Sequence, residues 1–331
     1  MRHMGAKKQR KVRVGIIFGG QSTEHEVSLK SAENVIAALP TEKYELVRIK
    51  IEKDGKWEMG KLTGLDVVFP VLHGPLGEDG TMQGLLKMMN LPFVGPSVLG
   101  SAIGMDKDVQ KRLLREAGIP TAKFLTVRRE AKDTISFAEA KRQLGLPLFV
   151  KPANAGSSVG VSKVKKESDF KVAMEDAFRY DSKILIEEGI AGQEVECAVL
   201  GNEDQIASVV GEVKPNHEFY SYEAKYIDGN GAGVEIPAQL TKEITKKVQE
   251  TALAAFKILE CEGMSRVDMF VTKDSRVLIN EINTIPGFTK ISMYPKLWAA
   301  SGISYPELID RLIQLALARA KRDTQLKTTF T

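Results

Sequence analysis

The chain has 331 residues, 43% of them hydrophobic and 27% charged, enough for a substantial core and, by length, for two or three domains. A formal net charge of +4 is too balanced for a polyanionic partner, and the basic stretches 7–11 and 319–327 read as solvated tails. Two distant cysteines exclude a disulfide framework, and no apolar run approaches the ~20 residues of a membrane span. The first apolar segment is too short for a signal peptide, so a cytoplasmic protein with no nucleic-acid or membrane partner is expected.

Residues 12–18 form a short apolar strand ending in a glycine turn. Residues 28–39 follow with Ala32, Val35, Ile36 and Leu39 at helical spacing. Segments 44–51 and 67–71 read as further strands, and 82–89 as a helix stopped by Asn90-Leu91-Pro92. This alternation predicts an α/β fold with a doubly wound parallel sheet, whose ligands sit beyond the carboxyl ends of the strands. Loops 19–26 and 73–80 follow strands directly and should line a site.

From Asp106 the character changes. Helices are predicted over 107–116 and 137–144, each ended by a glycine and a proline. Strands at 148–152 and 159–164 enclose a glycine-serine loop, and two more follow at 184–188 and 195–200. Residues 211–240 are polar and rich in tyrosine and glycine, longer than a passive connector. A helix over 243–259, a hairpin over 265–283 and an amphipathic helix over 305–320 complete the pattern.

Two constellations carry chemistry. In Lys151-Pro152-Ala153-Asn154-Ala155-Gly156-Ser157-Ser158-Val159-Gly160, backbone N–H groups of the loop can cradle phosphate oxygens beside a fixed positive charge. An ordinary glycine hairpin with a surface lysine explains this segment equally well on its own. The hairpin is more telling. Arg266 and Asp268 share one strand face, Glu281 and Asn283 share a face of the next, and folding about 274–275 sets Asp268 opposite Glu281 and Arg266 opposite Asn283. Like charges placed opposite destabilise a sheet unless they hold hard cations such as Mg²⁺ on nucleotide phosphates. Arg266 beside them suits developing negative charge. A weaker signal is Glu187-Glu188-Gly189-Ile190 at the end of a buried strand.

With these residues in view, the chain resembles the D-alanine–D-alanine ligases of the ATP-grasp superfamily. The resemblance rests on Gly156-Ser157-Ser158-Val159-Gly160, Glu223-Ala224-Lys225-Tyr226, Arg266-Val267-Asp268-Met269 and Glu281-Ile282-Asn283-Thr284-Ile285-Pro286-Gly287. His25-Glu26-Val27-Ser28 and the loop from His73 through Glu78 to Thr81 add to it. It implies a three-domain ATP-grasp fold: an N-terminal substrate-binding α/β domain (1–106), a central domain (107–191) and a C-terminal domain (192–331), the last two clamping ATP. It implies ligation of two D-alanine molecules through an acyl phosphate for peptidoglycan precursor synthesis. ATP is then the co-substrate, two Mg²⁺ or Mn²⁺ ions the cofactors and a homodimer the expected assembly; K⁺ activation stays open.

Residue by residue, the resemblance puts Lys107, Lys151, Gly156, Ser157, Ser158 and Lys225 on ATP phosphates, with Gly160 completing the loop. Glu187, Glu188 and Ile190 would meet adenine and Glu194 the ribose, while Asp268, Glu281 and Asn283 would hold metal. Glu26 would bind the first substrate ammonium, with His73 nearby. Arg266 and the Gly287 N–H would stabilise the tetrahedral intermediate, and Ser292 would bind the second carboxylate. Tyr226, linked to Ser157 and Glu26 in a lid over 211–240, would mark a dipeptide-forming enzyme. A dinucleotide-binding oxidoreductase is disfavoured by the lack of Gly-x-Gly-x-x-Gly, and a non-catalytic nucleotide module by the presence of all four hairpin residues. Another ATP-grasp ligase would need a different combination at 26, 157 and 226.

Overall fold

The computed structural model describes residues 10–130, 135–215, 232–327 and 329. Among these, strands β1 (Val12–Gly19), β2 (Tyr44–Ile51) and β3 (Val67–Val71) form a parallel sheet in the order β2-β1-β3. Every residue of β3 is buried, as a strand covered on both faces requires. Gly19 ends β1 at φ +92, where a Cβ would lie 2.2 Å from the Ile51 carbonyl oxygen, so only glycine can release the chain into the following loop.

Helix α1 (His25–Ala38) begins three residues before the helix read from apolar spacing. Its first turn faces inward through polar groups. Buried Ser28 Oγ accepts from Gly19 N at 2.8 Å and donates to the Val71 carbonyl, and His25 Nδ1 donates to Gly20 O at 2.7 Å. Hydrophobic periodicity cannot register a turn buried this way. Helices α2 (Thr81–Met88) and α3 (Val98–Met105) follow, the latter unexpected from the sequence.

The central segment carries α4 (Lys107–Glu116), β4 (Phe124–Arg128), α5 (Phe137–Leu144), β5 (Leu148–Pro152), β6 (Ser162–Val164), α6 (Glu167–Ala177) and β7 (Lys183–Glu188). The strands form an antiparallel sheet in the order β4-β7-β5-β6. Its core includes Leu148, Val150, Ile184 and Ile186 packed with Ala140, Leu144, Phe170 and Ala173 of the two helices.

A second antiparallel sheet follows, ordered β10-β9-β8-β11-β12, from β8 (Gly192–Gly201), β9 (Ile206–Pro215), β10 (Ala232–Glu235), β11 (Gly263–Thr272) and β12 (Val277–Asn283). Helix α7 (Lys242–Ile258) packs on it, and α8 (Met293–Ala300) and α9 (Tyr305–Asp323) close the chain. Part of the segment read as a lid is therefore sheet. Residues 211–215 belong to β9 and 232–235 form β10 against it, while Lys225 and Tyr226 lie outside the described residues.

The first and last thirds of the chain share one core. Val14, Ile16, Phe69 and Val71 pack with Met264, Phe288, Trp298, Leu312 and Ile313, and the Phe69 and Phe288 rings meet edge-on at 5.6 Å. Arg319 corrects the reading of residues 319–327 as a solvated tail. It is 6% exposed, donates at 2.6 Å to both Phe93 O and Gly95 O, and lies over the Phe93 ring. The spacing Leu312, Ala316, Arg319 continues the inner face of α9 past the last apolar residue. Arg319→Met is expected to cost roughly 2–4 kcal/mol and lower the thermal midpoint, leaving two buried carbonyls unpaired. Lys321→Met, at an exposed position, should stay within about 0.5 kcal/mol; equal midpoints for the two variants would contradict this anchoring.

Candidate active site

The β11–β12 hairpin pairs Arg266 with Asn283 and Asp268 with Glu281, the register read from the sequence. It does so for a reason the sequence did not disclose. Near the turn Val271 pairs with Val277, a count that would carry Asp268 to Asn280. A bulge between Asp268 and Met269 absorbs the extra residue, so Asn280 and Glu281 both line the cleft between the two antiparallel sheets. Arg266 is held by carboxylates on two strands: Asp268 takes Nε and Nη2 at 2.7 Å each, and Glu196 of β8 lies 2.9 Å from Nε. Asn283 Nδ2 donates to Asp268 at 2.9 Å.

The cleft, about 1010 Å³ and open to solvent, is lined by Lys107, Lys151, Gly156, Ser157, Ser158, Glu187, Glu188, Ile190, Glu194, Asp268 and Glu281. It thus gathers every residue that the resemblance puts on ATP within the described chain. Lys107, at the start of α4, donates to Ala155 O at 2.7 Å and sits 3.3 Å from Glu281. Asp106 caps that helix, accepting from Asp108 N and Val109 N, and binds buried Lys183 at 2.7 Å; Asp108 adds a contact at 3.2 Å. Glu188 turns its side chain back to accept from Lys123 N at 2.8 Å. Glu187 is buried between Lys151 (2.8 Å) and Lys111 (3.3 Å), the latter missed in the sequence because a lysine on a charged helix reads as solvated. Burial alone would raise Glu187, but the two lysines outweigh it and hold it below the usual carboxylate range. Burial pushes Lys111 down to about 8 against the pull of Glu187.

A second cavity, of about 860 Å³, adjoins the cleft and shares Gly156, Ser157 and Glu281 with it. Its other walls include Glu24, His73, Glu78, Glu196, Arg266, Asn283, Gly287 and Ser292. Glu26 is absent from it, which corrects the assignment made by resemblance. Because α1 starts at His25, Glu24 and Glu26 diverge by roughly 200° about its axis. Glu26 points to solvent and pairs with exposed Lys53 at 2.7 Å, which lowers its pKa. Glu24 is 6% exposed and accepts a hydrogen bond from Ser157 Oγ. A Cβ at Gly74 or at Gly156 would lie 2.9 or 2.7 Å from Glu24 Oε2, so both loops close on this carboxylate.

Glu78, named in the loop motif but given no role, completes this wall. His73 Nδ1 lies 3.5 Å from Glu78 and 3.2 Å from Ile285 O, while Nε2 meets Ser31 Oγ at 3.3 Å. Burial raises Glu78 despite the imidazole beside it; burial also opposes the His73 imidazolium, but Glu78 and Glu24 prevail and His73 is raised. The loop after β12 is pinned to α1 by Phe288 N donating to Ser31 Oγ at 3.2 Å, and to α9 by Tyr305 Oη donating to Phe288 O at 2.8 Å. This fixes Gly287, where a Cβ would come within 2.7 Å of Ser292 Oγ.

Comparison with known proteins agrees along the chain. A family profile described as "D-ala D-ala ligase C-terminus" matches residues 113–314, and one described as "D-ala D-ala ligase N-terminus" matches 13–65 and 58–96. A D-alanine–D-alanine ligase of Oceanobacillus iheyensis is 51% identical over 96% of this chain and 99% of its own. The chain belongs to the D-alanine–D-alanine ligase family. D-alanine–D-alanine ligase A of Escherichia coli K12 is 49% identical over 97% of this chain and all of its own. The solved structure of the D-alanine–D-alanine ligase of Coxiella burnetii superposes with a TM-score of 0.85 at 39% identity, covering 95% of this chain and 96% of that one. The VanG D-Ala:D-Ser ligase of Enterococcus faecalis superposes at 0.83 with 37% identity, over 93% of this chain and 100% of that one.

The donor chemistry of the hairpin bears on the metal ions expected from the sequence. Asp268, Glu281 and Asn283 supply oxygen donors at the mouth between the two cavities. Among the described residues no three His, Cys, Asp or Glu side chains converge as a metal cluster. Two carboxylates and an amide oxygen are donors of the kind hard cations take, with phosphate oxygens and water left to complete the shell. The scaffold behind Lys107 gives a separate prediction. Burial would raise Asp108, but Thr126, Lys183 and Arg112 hold it below its usual range. Its stabilising contribution is therefore present above the unfolded value and lost as pH falls through the folded one. Lys183→Met is expected to lose roughly 2–4 kcal/mol at neutral pH and to move the acid-unfolding midpoint upward; a midpoint unchanged or lowered in circular dichroism would contradict the role given to Lys183.

Proposed function

We propose that this enzyme joins two D-alanine molecules into D-alanyl-D-alanine, consuming ATP and releasing ADP and phosphate, with an acyl phosphate between. The observation that carries this reading is the shared wall of the two cavities. Gly156, Ser157 and Glu281 border both, and Arg266 stands on the far side of that wall. A γ-phosphate held in the cleft would face a carboxylate held in the cavity.

The chain's own groups then divide the work. Glu24, in place of Glu26, takes the ammonium of the first D-alanine, oriented by Ser157. The carboxylate of that substrate turns to the wall, where Lys107, Lys151 and the loop N–H groups orient the phosphates. Its oxygen attacks the γ-phosphorus and ADP leaves, a transfer governed by positioning and charge. Mg²⁺ on Asp268, Glu281 and Asn283 would neutralise phosphate charge when bound. The second D-alanine, its carboxylate at Ser292, presents a neutral amine to the acyl carbon; Arg266 and the Gly287 N–H stabilise the oxyanion, which collapses with loss of phosphate. Glu187, Glu188, Ile190 and Glu194 seat the nucleoside.

The product is a peptidoglycan precursor, and ATP as co-substrate supports a cytoplasmic location. No described helix is long and apolar enough to cross a membrane. A homodimer follows from the family resemblance alone. The test is phosphate release from ATP and Mg²⁺ with D-alanine, L-alanine, or D-alanine plus D-serine or D-lactate, products identified by mass. D-alanyl-D-alanine from D-alanine alone is expected; a mixed product favoured over the dipeptide would overturn the substrate assignment. Glu24→Gln should lower kcat/KM for D-alanine roughly 10- to 100-fold, while Glu26→Gln stays within about twofold. The reverse ranking would restore Glu26 to the site.

A further inference from the structure

Three buried charges behind the nucleotide cleft have a combined charge that an isolated ion pair would not. Lys151 and Glu187, 2.8 Å apart, already neutralise each other. Lys111, on α4 one turn beyond Lys107, is fully buried and brings a second ammonium to the other oxygen of the same carboxylate at 3.3 Å, without the alignment of a hydrogen bond. The contact group Lys111–Glu187–Lys151 thus carries a net positive charge in a wall where an apolar residue at 111 would cost less to bury. Only Lys151 and Glu187 of the three reach the cleft surface. Asn280, placed by the hairpin bulge, meets Lys151 Nζ at 3.4 Å from the opposite sheet.

We propose that Lys111 is a positioning residue for ATP: it offsets Glu187, so that this carboxylate can fix Lys151 in place without cancelling its charge toward the nucleotide phosphates. Without Lys111, the Lys151–Glu187 pair would present a dipole to the phosphates in place of a net charge. The proposal rests on ATP occupying this cleft. It assigns Glu187 a side-chain task besides any backbone contact to adenine, and it makes Lys111 act through Lys151 without touching the nucleotide.

The charge arithmetic gives a test that simple packing would fail. Lys111→Met keeps the length of the side chain and removes its charge; the double variant Lys111→Met with Glu187→Gln leaves Lys151 as the one charge of the group. Equilibrium binding of ATP with Mg²⁺ to the full chain, without D-alanine, is measured for wild type and the variants, alongside thermal midpoints and steady-state KM values. Lys111→Met is expected to weaken ATP binding ~30-fold, as loss of one unit charge near the phosphates in a partly buried wall implies, with KM for D-alanine within about twofold. The double variant should recover most of the lost ATP affinity. A double variant as weak as Lys111→Met, or weaker, would show that Lys111 serves packing alone and overturn the proposal, as would unchanged ATP affinity in Lys111→Met. Wild-type chain that binds no ATP would overturn this proposal together with the reading on which it rests.

Discussion

The carboxylate of Glu24 reaches from the end of the N-terminal sheet to the hydroxyl of Ser157, in the loop between two strands of the central sheet. Much of the site depends on that reach. A Cβ on Gly74 or Gly156 would press on the same Glu24 oxygen, so the second cavity closes around one buried acid. The third wall is held with similar economy. Phe288 packs against Phe69, its N–H meets Ser31, and Ile285 O meets His73, which together tie the loop bearing Gly287 to the same N-terminal helix and sheet. Three sheets contribute to one site, and the shared core of the first and last thirds keeps two of them in register.

Charge compensation is the second constraint. The second cavity gathers Glu24, Glu78, Glu196 and Glu281 around Arg266, and the cleft adds Asp268 and Glu187. So many carboxylates in a partly buried space are tolerable only where cations meet them. Glu196 and Asp268 grip Arg266 from adjacent strands, Lys107 faces Glu281, and Glu187 lies between two lysines. The groups proposed to handle phosphate and oxyanion are therefore already oriented by acids. Ligands that bring both ammonium and phosphate charges suit such a surface.

Much of this was legible in the sequence because it depends on strand alternation and on short motifs. The shared faces of Arg266 with Asp268 and of Glu281 with Asn283 follow from period-two alternation, although their pairing across the hairpin also needs the bulge, and the cleft residues were reached through the family resemblance. What escaped has a common physical cause. The first turn of α1 is buried through His25 and Ser28 in place of apolar side chains, so apolar spacing puts the helix start too late. Glu26, assigned through the family resemblance, lies on the exposed side of that turn, and Glu24 on the buried side. Arg319 and Lys111 are cations on helices, a residue type that periodicity assigns to solvent, yet each is buried against oxygen partners. Asn280 was invisible because a bulge shifts the pairing by one. Strand β9 ends inside a polar stretch, where Glu212, buried between neighbouring strands, and exposed Lys214 break its apolar run.

In the proposed reaction a carboxylate oxygen of the first D-alanine becomes bonded to the γ-phosphorus before the peptide bond forms. Oxygen-18 in both carboxylate oxygens of D-alanine tests it directly when the released inorganic phosphate is analysed by mass. Passage through the acyl phosphate predicts one labelled oxygen in each phosphate, the other remaining in the peptide carbonyl. Phosphate released without label, while the dipeptide accumulates, would contradict the account.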